Sequence, residues 1–191
     1  MFPAPQARTD GPHQLARPWC IRPLTDGDEP AVRQVFAALS GPSRLMRFHA
    51  PVPRYPSTWW RTLGRVRPGA ADVALAWAGE APIGHVMWTR MVGSEADLAV
   101  AVVDSWQGRG VGHGLVEHAA RTAVRVGITR FSCSIHPDNR SARRLARSVG
   151  ADPQHGGREW QVDLAAGAWA GMPPPHAAGE FRRSIAGGAA A

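Results

Sequence analysis

Val102-Val103-Asp104-Ser105-Trp106-Gln107-Gly108-Arg109-Gly110-Val111-Gly112-His113-Gly114-Leu115 decides how this chain is read. An apolar strand runs into a loop with glycine at every second position, and the loop opens an amphipathic helix. Glycine allows positive φ without a Cβ clash and lets the backbone come close to a ligand. The N–H groups of a helix's first turn have no partner inside the helix, and with the dipole they favour an anion. Arg109 adds a fork of donors suited to phosphate. The expected occupant is a diphosphate-bearing cofactor; a glycine-rich turn with no ligand is the alternative.

Two common phosphate motifs are excluded. A P-loop needs Gly-Lys-Ser/Thr, and the chain contains no lysine, all 22 of its Lys+Arg residues being arginine. In a dinucleotide fingerprint counted from Gly108 or Gly110, the third glycine position holds His113 or Leu115. The acidic ribose-binding residue is also missing, because that region reads Arg130-Phe131-Ser132-Cys133-Ser134-Ile135. What fits is Gln/Arg-x-x-Gly-x-Gly/Ala, here Gln107-Gly108-Arg109-Gly110-Val111-Gly112.

Outward from this junction, hydrophobic periodicity predicts the remaining elements. Trp19–Leu24 reads as a strand. Thr25 and Asp26 are cap candidates for a helix with Val32, Val35, Phe36 and Leu39 on one face, and Gly41-Pro42 is expected to stop it. Short helices follow around Ser43–Phe48 and Ser57–Val66. Asp72–Ala78 and Pro82–Val92 read as a hairpin across Gly79-Glu80, and Asp97–Val103 as a third strand. Val111–Val126 is a helix, with Val111, Leu115, Ala119, Ala123 and Val126 inward and Glu117, Arg121 and Arg125 outward. Thr129–Ile135 is a strand, Asp138 caps a helix that ends at Gly150, and Glu159–Leu164 closes as a strand. The order implies an α+β domain with a mixed sheet. Its expected extent is residues 17–164, between tails at 1–16 and 165–191 that are rich in Pro, Gly and Ala and read as disordered.

At 191 residues and 44% hydrophobic content the chain can bury a core of ordinary size. No apolar run reaches membrane-span length, the N-terminus lacks a signal-peptide core, and Cys20 and Cys133 lack CxxC spacing. A cytoplasmic protein without a membrane partner is expected. The net charge of +7 suits nucleic acid or a phosphorylated cofactor. The arginines are scattered, so nucleic-acid binding, which would be salt-sensitive, is the lesser option.

Three segments carry a family resemblance. The first is the Gln107–Gly112 loop. The second is His136-Pro137-Asp138-Asn139-Arg140-Ser141-Ala142-Arg143-Arg144-Leu145, ending in Ser148-Val149-Gly150-Ala151. The third joins Leu39-Ser40-Gly41-Pro42-Ser43-Arg44-Leu45-Met46-Arg47-Phe48 with Ala96-Asp97-Leu98-Ala99-Val100-Ala101-Val102-Val103. Together with the element order over residues 19–164, they resemble the GNAT N-acetyltransferases. The nearest likeness is to the GNAT domain of bacterial protein lysine acetyltransferases, a group that includes regulators of acyl-CoA synthetases.

The resemblance implies the GNAT fold, a mixed, mostly antiparallel sheet flanked by helices. It also implies acetyl-CoA as co-substrate, no metal, and a primary amine as acceptor, such as a lysine on an acyl-CoA synthetase. By the same likeness, Val102 and Val103 lie along the pantetheine arm, and an amide near Val102 serves the oxyanion. Gln107, Gly108, Arg109, Gly110, Val111, Gly112 and Gly114 lie at the diphosphate, and Asn139 and Ser141 lie near the CoA arm. Acetyl transfer needs a base to free the amine and donors for the developing oxyanion. Asp97 stands where the related lysine acetyltransferases carry a glutamate base, with Glu95 as its backup on the same strand face. A strand-start aspartate that stays solvated is the alternative.

One departure concerns the leaving group. The tyrosine that reprotonates the thiolate in many members is replaced at the matching position by Ala146, and the single tyrosine is Tyr55. This motivates a competing reading as a non-catalytic acyl-CoA-binding sensor or interaction module. Other candidates read as bland. His113, Glu117 and His118 lack metal-site spacing. His85 reads as a half-buried strand residue or as part of the acceptor pocket. Trp59, Trp60 and Trp88 read as packing, and Trp106 as a prop for the loop. Arg140, Arg143, Arg144 and Arg147 form a solvated face, from which Arg140 and Arg144 are best placed to reach the CoA 3′-phosphate.

Overall fold

The computed structural model describes residues 18–56, 69–156 and 159–165. Apart from Ala165, which ends a strand, the expected tails at 1–16 and 165–191, the helix at 57–66 and its Trp59-Trp60 pair lie outside the described residues.

A short strand, β1 (Cys20–Pro23), leads into α1 (Glu29–Ala38) and α2 (Gly41–Phe48). Three strands follow in a meander: β2 (Ala71–Ala78), β3 (Ala81–Arg90) and β4 (Glu95–Val102). A single 3₁₀ turn at Asp104–Trp106 passes the chain to α3 (Val111–Val124). The rest is β5 (Arg130–Ile135), α4 (Arg140–Ser148), β6 (Gln154–Gly156) and β7 (Glu159–Ala165). The sheet order is β1-β2-β3-β4-β5-β7-β6. Among the described residues only the β4–β5 contact is parallel, the two strands being connected through α3. The α+β class and the mixed, mostly antiparallel sheet are as expected.

Alternation sorts the two faces of the sheet. Trp88 on β3 donates its indole N–H to Thr122 of α3 at 3.0 Å, so even-numbered β3 residues face α3. Register pairs Trp88 with Leu98 and Gly84 with Val102, which puts even-numbered β4 residues on that face too. His85, Met87, Thr89, Asp97, Ala99 and Ala101 therefore face the opposite side, toward α1 and α2. The core between α3 and the sheet includes Trp88, Leu115, Ile128 and Phe131, each essentially without solvent contact, while Leu75, paired with His85, is buried on the other face. On the other face α1 buries Ala31, Val32, Val35 and Phe36.

Several local expectations are corrected. Gly41-Pro42 opens α2 instead of merely stopping α1: Ser40 is the N-cap, its hydroxyl accepting the Ser43 N–H at 3.2 Å. Asp28, and neither Thr25 nor Asp26, precedes α1. Its carboxylate accepts both terminal nitrogens of Arg22 and the amide and hydroxyl of Thr25. Asn139, one residue past Asp138, caps α4 by accepting the Ala142 N–H at 2.9 Å. Glu117 is buried and not outward, because Arg121 one turn on pairs with it. Val126 lies beyond the helix end and is exposed. Strand β6 was not anticipated, three residues being too short for a periodic signal. No helix among the described residues is long and apolar enough to cross a membrane.

Candidate active site

The site originates in an incomplete strand pairing. β4 and β5 pair at Glu95↔Arg130, Ala96↔Phe131 and Asp97↔Ser132, and there the ladder ends. β4 continues to Val102 and β5 to Ile135, so both backbones run on with a gap between them. The hydrogen-bond phase of β4 shows what faces the gap. Val103 N–H donates to Ile83 C=O at 2.9 Å, and Met91 N–H donates to Glu95 C=O at 2.8 Å. Odd-numbered residues thus spend their backbone groups on β3, and even-numbered Leu98, Val100 and Val102 turn theirs toward β5. This is an open edge inside a sheet, a position where an extended polar arm can add its own hydrogen bonds.

The gap opens into a cavity of about 500 Å³. Leu98, Val100 and Val102 line it from β4, and Cys133, Ser134 and Ile135 from β5. Leu39, Ser43, Met46 and Arg47 close one side, and Asn139, Ser141, Arg144 and Ala146 the other. At its mouth lie Gln107, Gly108, Gly110, Gly112 and His113. Gly108 and Gly110 have φ of 72° and 80°, the left-handed region that glycine tolerates. A Cβ at either would meet nothing within 4 Å, so the loop has an open outer surface. The first amide bonded within α3 is that of Gly114, to Gly110 C=O at 3.1 Å, which leaves the amides of Val111, Gly112 and His113 ahead of the helical ladder. An anion-accepting loop beside an unpaired strand edge fits a diphosphate joined to an amide-bearing arm.

A polar network fastens this mouth to α2. Asp104 accepts the Ser40 N–H at 2.9 Å and the hydroxyls of Ser40 and Ser43 at 2.8 Å each. Burial works against the Asp104 charge, but these donors outweigh it and hold the carboxyl below its ordinary range. Gln107 Nε2 donates to Val102 C=O at 3.1 Å, closing the end of the gap. Sequence reading missed the roles of Asp104, Ser40 and Ser43. Ser40-x-x-Ser43 is readable as a cap, but its link to Asp104 spans more than sixty residues and leaves no local trace.

The expected base lies on the opposite face of β4. Asp97 is the last β4 residue paired with β5, so its side chain stands where the gap begins. Burial raises the Asp97 carboxyl above its ordinary value, and the Arg47 charge pulls it back part of the way. Arg47 itself is brought down to about 10 by burial, against the pull of Asp97. Glu95 shares this face, but its carboxylate pairs with Arg130 at 3.3 Å. His85 is buried opposite Ala101 and pushed down to about 3, first by burial and then by Arg47, so it is a neutral imidazole.

Not every expected cofactor contact is met. Gly114 lies away from the loop: a Cβ there would sit 2.5 Å from the Trp19 ring, so this glycine serves helix-to-strand packing. Val103 is buried, with its amide committed to Ile83, which leaves Val102 and not Val103 on the gap. The Gln107 amide is likewise used within the turn, donating to Asp104 C=O at 3.3 Å. The Arg109 guanidinium lies over the Trp106 ring at 5.2 Å from its centroid, outside the cavity lining. Asn139, Ser141 and Arg144 do line the cavity, and Arg140 does not. Tyr55 packs edge-on against Phe36 at 5.7 Å and is absent from the lining, so it does not stand in for the tyrosine missing at Ala146. No metal-binding group of three or more side chains occurs among the described residues.

Residues 35–151 match the model of the Acetyltransferase (GNAT) family. The chain belongs to this family. As a GNAT protein it is an acetyl-CoA-dependent N-acetyltransferase. Its structure is similar to the GNAT domain of S. lividans PAT, with 25% identity, a TM-score of 0.72, and coverage of 76% of this chain and 89% of that one. The fold is also shared with spermidine N-acetyltransferase from Vibrio cholerae, at 13% identity and a TM-score of 0.63 over 79% and 97% of the two chains. PaiA N-acetyltransferase from Thermoplasma acidophilum, solved with coenzyme A, matches at 14% identity and a TM-score of 0.59 over 77% and 98%. A search of curated proteins gave no match.

Proposed function

We propose that this GNAT enzyme acetylates a primary amine on a protein, a lysine side chain, with Asp97 as the general base. The observation that carries the reading is the position of Asp97 at the last β4–β5 pair, where the cofactor gap meets the open face of the sheet. Acetyl-CoA supplies an activated acyl group as its thioester. The loop amides from Gly108 to His113 hold the diphosphate, and Asn139 and Ser141 flank the arm. The even-numbered β4 amides, Val100 and Val102, are the donors available to the thioester carbonyl. Asp97 takes the proton from the acceptor ammonium, directly or through one water. A carboxyl raised by burial suits that task better than an ordinary one. Glu95, held by Arg130, is the weaker candidate. With Ala146 in place of tyrosine, the CoA sulfur leaves as thiolate, which a thiol pKa of about 8.5 permits.

The likeness to the S. lividans PAT domain supports a protein lysine as acceptor. Cys20 and Cys133 are not joined in a disulfide, in keeping with a reducing, cytoplasmic setting. Titration calorimetry with acetyl-CoA, beside acetyl transfer to lysine peptides and to small amines, tests the reading. Asp97→Asn should lower turnover about 10²- to 10⁴-fold with cofactor affinity unchanged, and Gly110→Asp should abolish cofactor binding. Retained turnover in Asp97→Asn overturns the base, and activity confined to small amines overturns the lysine acceptor.

A further inference from the structure

The cavity changes character along its depth. Its mouth is formed by exposed loop residues, among them Gln107, Gly108 and Gly110. Toward α3 and α4 its wall is made by Leu98, Val116, Ala146 and Val149, all buried, with the half-buried Cys133 beside them. These five side chains share one face of the sheet. Leu98 is an even-numbered β4 residue and faces α3. Phe131 pairs with Ala96 across the parallel ladder and is buried on that same face, and alternation carries Cys133 with it. Val116 belongs to α3, and Ala146 and Val149 to α4 and its C-cap. The two helices meet here: a Cβ at Gly112 of α3 would stand 3.2 Å from Leu145 of α4 and 3.8 Å from Val102.

Apart from the Cys133 thiol, these five side chains offer no polar atom. A surface so lined is a poor site for water, which needs several polar partners, and a good one for an apolar tail. On the α2 side, Ser43 and Arg47 put polar groups in the wall instead. The apolar wall also lies where a thioester would deliver such a tail. With the thioester carbonyl at the Val100 and Val102 amides, Leu98 is the next even-numbered residue toward the closed end of the gap at Asp97↔Ser132. Asp97 stands on the opposite face of β4, so an acyl tail that descends past Leu98 toward α3 and α4 leaves the amine's line of attack clear.

We propose that the enzyme also transfers acyl groups longer than acetyl, from straight-chain donors such as butyryl-CoA. The acyl tail lies against Leu98, Val116 and Val149, in space that the methyl side chain of Ala146 leaves open. The inference rests on the placement of the thioester and of Asp97 in the proposed function. The step is the same for every length: the amine nitrogen bonds to the acyl carbon, the carbon–sulfur bond breaks to give CoA thiolate, and the ammonium proton passes to Asp97.

Calorimetric titration of CoA, acetyl-CoA, butyryl-CoA and hexanoyl-CoA into wild type and Ala146→Leu reads this wall with no acceptor present. Ala146→Val takes the place of the leucine variant if that one does not fold. Each buried methylene should tighten binding about fourfold, so wild type should hold butyryl-CoA at least about tenfold more tightly than acetyl-CoA. Ala146→Leu should lose most of that ratio. A wild-type affinity that is level or falls from acetyl to butyryl overturns the inference, and so does a ratio that the leucine side chain leaves in place. Butyryl-CoA that binds tightly but donates nothing to a lysine peptide, while acetyl-CoA does donate, overturns it as well. Transfer from the same donors in Asp97→Asn reports separately on the reading beneath. Transfer retained in that variant, with the chain-length ratio still abolished by Ala146→Leu, overturns the base and leaves the acyl site standing.

Discussion

Strand β4 has two edges that the protein treats differently. Toward β3 it is joined through seven register pairs, from Gly84↔Val102 to Arg90↔Ala96, and toward β5 through only three. On the first edge the backbone groups complete the sheet. On the second, the ladder ends after Asp97, so the amides of Val100 and Val102 stay open to a ligand, and the cavity forms beside them. Three glycines show the same contrast. A Cβ at Gly84, on the closed side, would lie 2.7 Å from the Ala101 carbonyl oxygen, whereas Gly108 and Gly110, on the open side, have free space where a Cβ would go. Glycine permits close packing of backbone in one place and a bent, unencumbered loop in the other. The cavity lies where the regularity of the sheet stops.

The contrast can be broken most severely on the closed edge. Gly84→Val forces a side chain into the β4 backbone and against Leu115. A loss of about 3 kcal/mol is expected from overpacking, read by denaturant unfolding, together with loss of the gap geometry. A variant as stable as wild type would show that β3 and β4 can part without harm. Next comes a matched pair in α3. Gly114→Ala meets the Trp19 ring at 2.5 Å and should cost on the order of 1–3 kcal/mol, with acetyl-CoA affinity retained in the folded protein. Gly112→Ala meets the movable end of Leu145 at 3.2 Å and Val102 at an ordinary 3.8 Å. It should unfold like wild type and show its effect in cofactor binding, since Gly112 lines the cavity. The reverse pattern in calorimetry and melting would mean that the packing and ligand roles have been exchanged.

The smallest effect sharpens the comparison at the open edge. Asp104→Ala removes the acceptor that ties Ser40 and Ser43 of α2 to the end of β4. Acetyl-CoA affinity should fall several-fold with little change in melting temperature. The Asp104 carboxyl is held low in the folded protein, so the tie is complete above the ordinary aspartate range and is lost as pH falls below it. Wild-type affinity should therefore decline in acid toward that of the variant, and Asp104→Ala should be flat over the same interval. Parallel declines in the two proteins would place the acid sensitivity elsewhere.

How much of this was legible in the chain follows from the range of each interaction. The strand–loop–helix junction, the hairpin at Gly79 and the order of elements were determined by the sequence alone. Each depends on neighbouring residues: glycines at positive φ, alternating apolar positions, a polar residue ahead of a helix. The same locality led from Gln107–Gly112 to a diphosphate, whereas Asp97 was singled out through the family resemblance. Errors arose where two adjacent residues offer the same cap, as with Asp138 and Asn139, or where a charged residue finds its partner within the core, as Glu117 does in Arg121. Only the tertiary structure decided that β4 leaves β5 at Asp97, that Gly114 belongs to Trp19, and that Asp104 accepts from Ser40 and Ser43 more than sixty positions away. Those outcomes depend on which distant side chains the fold brings together, and spacing along the chain carries no record of that.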